Sequence, residues 1–327
     1  MRPLRILTWH IHGSYLYYLT QARHEFYLPV KPGRPEGYGG RLGGFPWSDN
    51  VCDVPAEEVR NLQLDCILFQ SRQNYLKDQY EILSESQRRL PRIYLEHDPP
   101  RDVPTDTHHV VDTKDVLLVH VTHFNQLMWD SNRTPTCVIE HGVIVPSGVR
   151  YTGEIERGIV IVNGLGSRGR RLGADIFERV SQEVPLDLVG IGSKQLGGIG
   201  EVRHDQLPAF ASRYRFFFNP IRYTSLGLAL CEAMMVGLPV IGLATTEMVT
   251  VVENGVAGNV DTNISKLVEA MHRLLHNPAE ARRLGEGAAG KARSRFAIER
   301  FTRDWDKAFA LVTASSQEAT PDATPAT

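Results

Sequence analysis

The chain has 327 residues, of which 42% are hydrophobic, enough for two domains with cores of their own. Its formal net charge of -2 gives no electrostatic basis for non-specific nucleic-acid binding. The four cysteines lack the spacing of a metal site or a disulfide framework, so we expect reduced thiols. No apolar run is long enough to span a bilayer, and the first twenty residues do not resemble a signal peptide. These features predict a cytoplasmic protein.

The first predicted strand, Leu4–His10, is followed by a short loop that contains Gly13, and then by a segment that can be helical. Loops at the carboxyl ends of strands are where α/β sheets bind ligands. A tight turn at the same place would also require a small residue. Gly13 is therefore a candidate binding residue, and the turn remains an equal alternative.

The segment His24–Gly44 is rich in glycine and proline, which argues against helix or regular strand beyond Phe26–Val30. Tyrosine, lysine and arginine side chains are interleaved with the glycines. Long glycine-rich loops in compact domains are commonly functional or disordered. The segment could grip a sugar or an anionic acceptor, or it could be a mobile surface loop, and the sequence leaves both open.

Two further strands, Asp65–Gln70 and Arg92–Glu96, are predicted on either side of a polar-faced helix at Tyr75–Arg89. The second strand ends at His97. A histidine at a strand end can donate a hydrogen bond to a substrate hydroxyl, and its charge is easily tuned. A strand end turned by the two prolines that follow is the alternative.

Another strand is predicted at Val116–Val121, in a region that contains several histidines. A zinc site is rejected, because the spacing fits no common zinc motif and no cysteine or acidic pair supports it. The histidines in question are His108, His109, His120 and His123.

A second domain is predicted to begin with the buried-type strand Gly158–Asn163. The following loop contains four glycines and three arginines before a helix at Ala174–Val184. Guanidinium groups suit phosphate oxygens, and glycines let the backbone approach them. Arg168 and Arg171 are the preferred phosphate ligands, with Arg170 in reserve; a solvated basic loop is the alternative.

The stretch Phe216–Gly258 reads as a strand, a loop, a helix and a second strand. The loop contains Ser225 and Gly227, and a helix that begins near Leu228 would direct free N–H groups at a phosphate there. Glu232 lies one turn further along, where a carboxylate suits hydroxyl groups such as those of a ribose.

This stretch resembles the donor-binding signature of retaining GT-B glycosyltransferases of family 4, group 1 type. The matching blocks are Thr224-Ser225-Leu226-Gly227-Leu228, Glu232-Ala233-Met234 and Gly237-Leu238-Pro239-Val240-Ile241. Two departures stand out. Thr224 occupies the position of the family's first glutamate, which approaches the donor sugar, and residues 246–250 replace a Gly-Gly-x-x-Glu motif.

The resemblance implies an α/β protein with two Rossmann-like domains facing a central cleft. Residues 1–150 would form the acceptor-side domain and residues 151–295 the nucleotide-sugar domain. A helix at 296–313 would cross back to the N-terminal domain. Residues 314–327 have no apolar face and are predicted to be disordered.

The resemblance also implies sugar transfer from a nucleoside diphosphate sugar to an acceptor hydroxyl, with retention of configuration. Neither a metal nor a cofactor is expected. The acceptor would be a carbohydrate or a lipid-linked molecule, and the latter would bring the protein to a membrane surface. Nucleic acid is not an expected partner.

Individual roles follow from the same resemblance. The diphosphate would be held by the arginines and by amide groups at the helix start, Glu232 would bind the ribose, and His97 and Thr224 would approach the sugar. Gly13 would face the acceptor or the diphosphate. The full set of expected residues is Gly13, His97, Arg168, Arg171, Thr224, Ser225, Gly227, Leu228, Ala229 and Glu232.

Two alternatives remain. Because Thr224 replaces an acidic residue, the protein could bind a nucleotide sugar as an accessory partner with weak or no transferase activity. A nucleotide-sugar epimerase is less favoured, because no acidic and histidine set for proton shuttling accompanies Glu232.

Overall fold

The computed structural model describes residues 2–318, with side chains to residue 314. The chain divides into two compact units. The first unit comprises residues 2–140 and 299–318, and the second is His141–Ile298. Within the described residues, no helix has both the length and the apolar character required to cross a membrane.

The first unit contains a seven-stranded sheet in which every pairing is parallel. Its strands are β1 (Arg5–Thr8), β2 (Glu25–Val30), β3 (Val51–Pro55), β4 (Cys66–Phe69), β5 (Arg92–Glu96), β6 (Val116–His120) and β7 (Thr136–Val138). The spatial order is β3-β2-β1-β4-β5-β6-β7. The direction of winding reverses between β1 and β4, so ligand binding is expected at their carboxyl ends.

The helices of the first unit are short, except for the last. They are α1 (Gly13–Leu19), α2 (Gln79–Ile82), α3 (His123–Met128) and α11 (Ile298–Glu318). The single helix predicted over residues 75–89 is broken: a π-helical turn at Asn74–Asp78 precedes α2, and a separate 3-10 turn covers Gln87–Arg89. Strand β3 was not predicted, and it lies beyond the glycine-rich loop.

Helix α11 packs against the first unit through aromatic side chains. Trp305 and Phe309 are fully buried, and the Trp305 indole N–H donates to the hydroxyl of Tyr15, 3.3 Å away. Residues 314–318 continue this helix, where the sequence predicted a disordered tail, and the rest of that tail lies outside the described residues.

The second unit contains a five-stranded parallel sheet. Its strands are β8 (Ile155–Ile161), β9 (Leu186–Val189), β10 (Tyr214–Asn219), β11 (Val240–Leu243) and β12 (Gly258–Asp261). Every residue of β10 and β11 is buried, which explains the apolar run Phe216–Phe218 in β10 and the apolar sequence of β11. The order is β12-β11-β10-β8-β9, so winding reverses between β8 and β10.

Seven helices surround this sheet in the described part of the second unit. They are α4 (Leu165–Leu172), α5 (Ala174–Val180), α6 (Leu207–Ala211), α7 (Leu228–Val236), α8 (Met248–Val251), α9 (Ile264–His276) and α10 (Pro278–Arg295). Helix α7 is apolar around most of its circumference and packs closely on α10, where a methyl group on Gly285 would lie 2.1 Å from the carbonyl oxygen of Gly237.

The chain enters the second unit at His141, ten residues before the boundary expected from the sequence. Two contacts tie this entry segment to the second unit. The amide of Val143 donates to the carbonyl of Phe296 at 3.0 Å, and the His141 ring bonds to the carbonyl of Leu226 at 2.9 Å.

Candidate functional site

The main candidate site of the second unit lies at the carboxyl ends of β8 and β10. These strands are neighbours and parallel, so the loops that follow them emerge at one edge of the sheet. This is also the point at which the strand order reverses, where open α/β sheets bind ligands. Helix α4 follows β8, and α7 follows β10 after an eight-residue connection, residues 220–227.

The amino end of α7 is open. Gly227 is the N-cap residue, with φ -75° and ψ 134°, and no side chain caps the helix. A methyl group added at Gly227 would meet no atom within 4 Å. The first N–H groups of a helix have no acceptor within it, so those of Leu228 and Ala229 are suited to an anion. Neither its backbone angles nor its neighbours therefore require glycine at position 227, and the space in front of the helix is open.

The loop before α7 is fixed to the junction between α4 and α5. The carbonyl of Arg171 accepts hydrogen bonds from the amides of Arg222 and Tyr223, at 3.1 and 3.2 Å. Gly173 has φ +84°, and a side chain there would place its Cβ 2.0 Å from the carbonyl oxygen of Pro220. A glycine is thus essential at this contact, which brings the arginine-containing segment against the loop.

The arginines of this segment differ in their ion pairs and in their exposure. Arg170 pairs with Asp175 at 2.6 Å, and Arg222 grips the same carboxylate with two bonds of 2.6 and 2.8 Å. The hydrogen bond from Arg222 lowers the pKa of the Asp175 carboxyl. Arg168 is exposed and, among the described residues, forms no ion pair, whereas Arg171 is half-buried. Arg170 is therefore committed to structure, which favours Arg168 over it as a phosphate ligand.

The polar residues of the signature stretch surround the start of α7. Ser225 is 6% exposed and Glu232 5% exposed, whereas Thr224 is half-buried. A carboxylate so thoroughly buried near a helix amino end is costly without hydrogen-bond donors. Glu232 thus has the burial expected of a group that serves a specific polar contact.

His141 contributes to this site although the sequence gave it no site role. Its ring is 4% exposed, and its Nε2 lies 2.9 Å from the carbonyl oxygen of Leu226. A carbonyl can only accept, so Nε2 donates. This bond orients the peptide next to Gly227, immediately before the open amino end of α7.

In the first unit, His97 follows β5, one strand beyond the point where winding reverses. Its Nε2 lies 3.1 Å from Oε1 of Gln70, which follows β4. The Gln70 amide nitrogen donates to Oγ1 of Thr8 and to the carbonyl of Trp9, both at 2.8 Å. The ends of β1, β4 and β5 are therefore joined through one buried glutamine, which is 4% exposed.

Two aromatic side chains complete the surroundings of His97. The His12 ring lies 4.2 Å from the His97 ring, and the Tyr15 ring packs at 4.8 Å and 89°. Burial raises the pKa of the Tyr15 phenol, which stays neutral and accepts the Trp305 N–H. His12, Tyr15 and Gln70 were not singled out from the sequence, because only the fold brings them to His97.

Gly13 begins α1, directly after His12. A side chain at this position would meet the Phe45 ring at 2.9 Å and Nε2 of His10 at 3.0 Å. The glycine-rich loop that precedes Phe45 is packed in the same region: the amide of His10 donates to the carbonyl of Gly37 at 3.2 Å. Close packing thus accounts for a small residue at Gly13, beside His12 and His97.

Two other histidines of this region are buried within the fold. His109 has a side chain 1% exposed and pairs with Glu96 at 3.2 Å. His120 is fully buried, and burial lowers its pKa to about 3. Within the described residues, no group of three metal-ligating side chains comes together.

Comparison with known proteins agrees with this architecture. The chain superimposes on sucrose-phosphate synthase from Thermosynechococcus elongatus with a TM-score of 0.67 and 14% identity, over 96% of this chain and 100% of that one. Anabaena HepE, solved in complex with UDP and glucose, gives a TM-score of 0.67 and 15% identity over 94% and 99%. S. aureus TarM, solved as a mutant with UDP and a carbohydrate, gives 0.59 and 12% over 75% and 55%.

The protein therefore has the GT-B fold of glycosyltransferases. Residues 192–291 match the family described as Glycosyl transferases group 1. The matched segment lies in the second unit and includes the connection before α7 and the helix itself. No curated protein sequence matches the chain significantly.

Proposed function

We propose that the protein transfers a sugar from a nucleoside diphosphate sugar to an acceptor hydroxyl, with retention of anomeric configuration. The observation that supports this most is the open amino end of α7, at the reversal point of the second sheet and inside the group 1 segment. HepE and TarM were both solved with UDP, which supports a nucleotide as the ligand.

The proposed chemistry is electrostatic. A departing diphosphate carries developing negative charge, and donors already in place stabilise such charge without reorganisation. The amides of Leu228 and Ala229 would donate to the diphosphate, with Arg168 and Arg171 supplying positive charge. Metal-independent transfer is part of the proposal, with no cofactor besides the donor substrate.

The remaining residues would hold the rest of the substrates. Glu232 would accept hydrogen bonds from ribose hydroxyls, and Ser225 and Thr224 would line the donor sugar. His97 would contact the sugar or the incoming hydroxyl, and Gly13 would face the acceptor or the diphosphate. The acceptor would be a carbohydrate or a lipid-linked carbohydrate, used by a cytoplasmic protein that meets membranes at their surface.

The second candidate is a nucleotide-sugar-binding accessory protein with weak or no transferase activity. The replacement of an acidic residue by Thr224 favours it. A hydroxyl can still hydrogen-bond a sugar, so transfer remains the preferred function.

A donor panel separates these two functions. The full chain would be incubated with UDP-, GDP- and dTDP-linked sugars. Binding would be measured first, as a rise in Tm, because a ligand that binds only the folded protein stabilises it. Release of nucleoside diphosphate and transfer to simple glycosides would then be measured with and without a chelator. Transfer that survives chelation supports the proposal, and the anomeric configuration of the product tests retention. Binding with neither transfer nor hydrolysis would favour the accessory role.

A further inference from the structure

The orientation of the Gln70 amide is determined by its neighbours. The carbonyl of Trp9 can only accept a hydrogen bond, so the group that faces it at 2.8 Å must be the amide nitrogen. The same nitrogen lies 2.8 Å from Oγ1 of Thr8. Gln70 is 4% exposed, so a flipped amide would bury an oxygen against an oxygen, at the cost of an unsatisfied carbonyl.

This orientation has a consequence for His97. The amide oxygen of Gln70, an acceptor only, is left facing Nε2 of the imidazole at 3.1 Å. A hydrogen bond at this distance requires the proton to be on Nε2. In the neutral ring, Nδ1 must then be an acceptor.

We infer that Gln70 is a positioning residue that holds a proton of His97 on Nε2, so that in the neutral ring Nδ1 accepts a hydrogen bond from a substrate hydroxyl. The neutral ring thus acts as an acceptor, which reverses the donor role expected from the sequence. A carboxylate or phosphate oxygen cannot donate to Nδ1, so this position selects a hydroxyl. The hydroxyl assignment rests on the proposed function, whereas the position of the proton does not.

The test without substrate uses the nitrogen resonances of His97 in the full-length protein. At a pH where the ring is neutral, we expect the proton of wild-type His97 on Nε2. The Gln70→Leu variant removes the acceptor, and we expect a mixture of the two neutral forms with more Nδ1–H. A proton on Nδ1 in the wild type, or an unchanged distribution in the variant, would overturn the inference whether or not the protein transfers sugar.

A matched control is available in the same unit. Gln87 is 5% exposed, and its amide nitrogen donates to the carbonyls of Val59 and Leu62, both at 2.9 Å. Gln87→Leu therefore removes two main-chain hydrogen bonds from a buried glutamine, as Gln70→Leu removes the bonds to Trp9 and Thr8. We expect reduced thermal stability in both variants and a changed His97 spectrum only in Gln70→Leu.

Once a donor substrate has been found, the pH dependence of its turnover gives an independent test. Protonation of His97 places a proton on Nδ1 and removes the acceptor, so turnover should fall on the acid side. Gln70→Glu places a carboxylate against the ring and favours its charged form, which should move the acid limb to higher pH by about one unit or more. Gln87→Glu makes the same change elsewhere and should leave the limb in place.

Other titratable groups near the ring could influence that limb. His12 and Tyr15 pack on the His97 ring from the start of α1. Glu96 and Asp98 flank His97 in sequence, and their carboxylates pair with His109 and Arg101. The His97→Ala background isolates the effect. If Gln70→Glu shifts the limb equally there, the shift does not act through His97 and the inference fails.

Discussion

Replacement of Gly227 by alanine tests the open amino end of α7 with a single methyl group. Its backbone angles, φ -75° and ψ 134°, are accessible to alanine, and the added methyl would meet no atom within 4 Å. Alanine restricts the unfolded chain, which stabilises by about 0.4–1 kcal/mol. It is also a poorer N-cap than glycine, which costs up to about 1 kcal/mol. The two effects nearly cancel, so Tm should change by less than about 4 °C.

The effect on binding should be much larger. A methyl group at Gly227 would stand where a diphosphate must approach the amides of Leu228 and Ala229. The loss of one hydrogen bond to a charged group costs about 1.5–3 kcal/mol, which corresponds to roughly 10- to 100-fold in Kd. Titration calorimetry with UDP would measure it, followed by GDP and dTDP if UDP does not bind.

Gly290 provides the control for this variant. It lies in α10, has no atom within 4 Å of an added methyl group, and is exposed. Gly290→Ala should stabilise the protein by about 1 kcal/mol through helix propensity and leave Kd unchanged. A Kd for Gly227→Ala within twofold of the wild type would refute the approach of a diphosphate to this backbone. A fall in Tm of more than about 10 °C would show that the space at Gly227 is not open.

Three further predictions concern residues of the second unit. Glu232→Gln should lower kcat/KM by about tenfold or more with little change in Tm, because the amide keeps the shape but loses the charge that strengthens hydrogen bonds to hydroxyls; unchanged turnover would contradict the ribose role. Arg168→Ala should weaken UDP binding by about tenfold. Arg170→Ala loses only an exposed ion pair, which contributes little to stability, and should leave the Kd for UDP unchanged. His141→Phe removes the donor to the Leu226 carbonyl and should weaken UDP binding about tenfold, with partial recovery in His141→Asn if the amide reaches that carbonyl; equal binding by all three proteins would exclude a positioning role.

Most of the strands, and the strand–loop–helix–strand stretch of the second unit, could be predicted from the sequence because their signals are local. Strand β11 is a continuous apolar run and β10 contains one at Phe216–Phe218, as expected of strands buried on both faces of a parallel sheet. Helix α7 ends at Gly237, whose φ of +102° is a conformation that side chains rarely adopt, and a glycine with a proline two residues later is a local signal for a helix end. The loop before α7 and its glycine could likewise be recognised from consecutive residues.

Other features depended on tertiary contacts and left no local signal. Strand β3, Val51–Pro55, contains aspartate, cysteine and proline, and pairing with β2 makes it a strand. Helix α4 was read as a loop because of its glycines, and it is indeed interrupted at Gly169, where φ is +56° and ψ is -139°.

The polar residues that hold other side chains in place, beside His97 and beside the loop before α7, were missed for the same reason. Gln70 is an ordinary residue at the end of a strand, and only the order of strands brings it between Thr8 and His97. Asp175 is likewise separated from Arg222 by 47 residues, and the fold joins them beside the loop before α7. A motif can indicate which residues meet the substrate, but the groups that hold those residues in place come from distant parts of the chain.

The most direct test of the central claim is a crystal structure of the full chain with bound nucleoside diphosphate, with UDP tried first and then GDP and dTDP. We predict a phosphate oxygen within hydrogen-bond distance of the amide of Leu228 or Ala229, and a guanidinium of Arg168 or Arg171 on the same diphosphate. A diphosphate bound at any other part of the protein, with the start of α7 in contact only with water, would contradict the account.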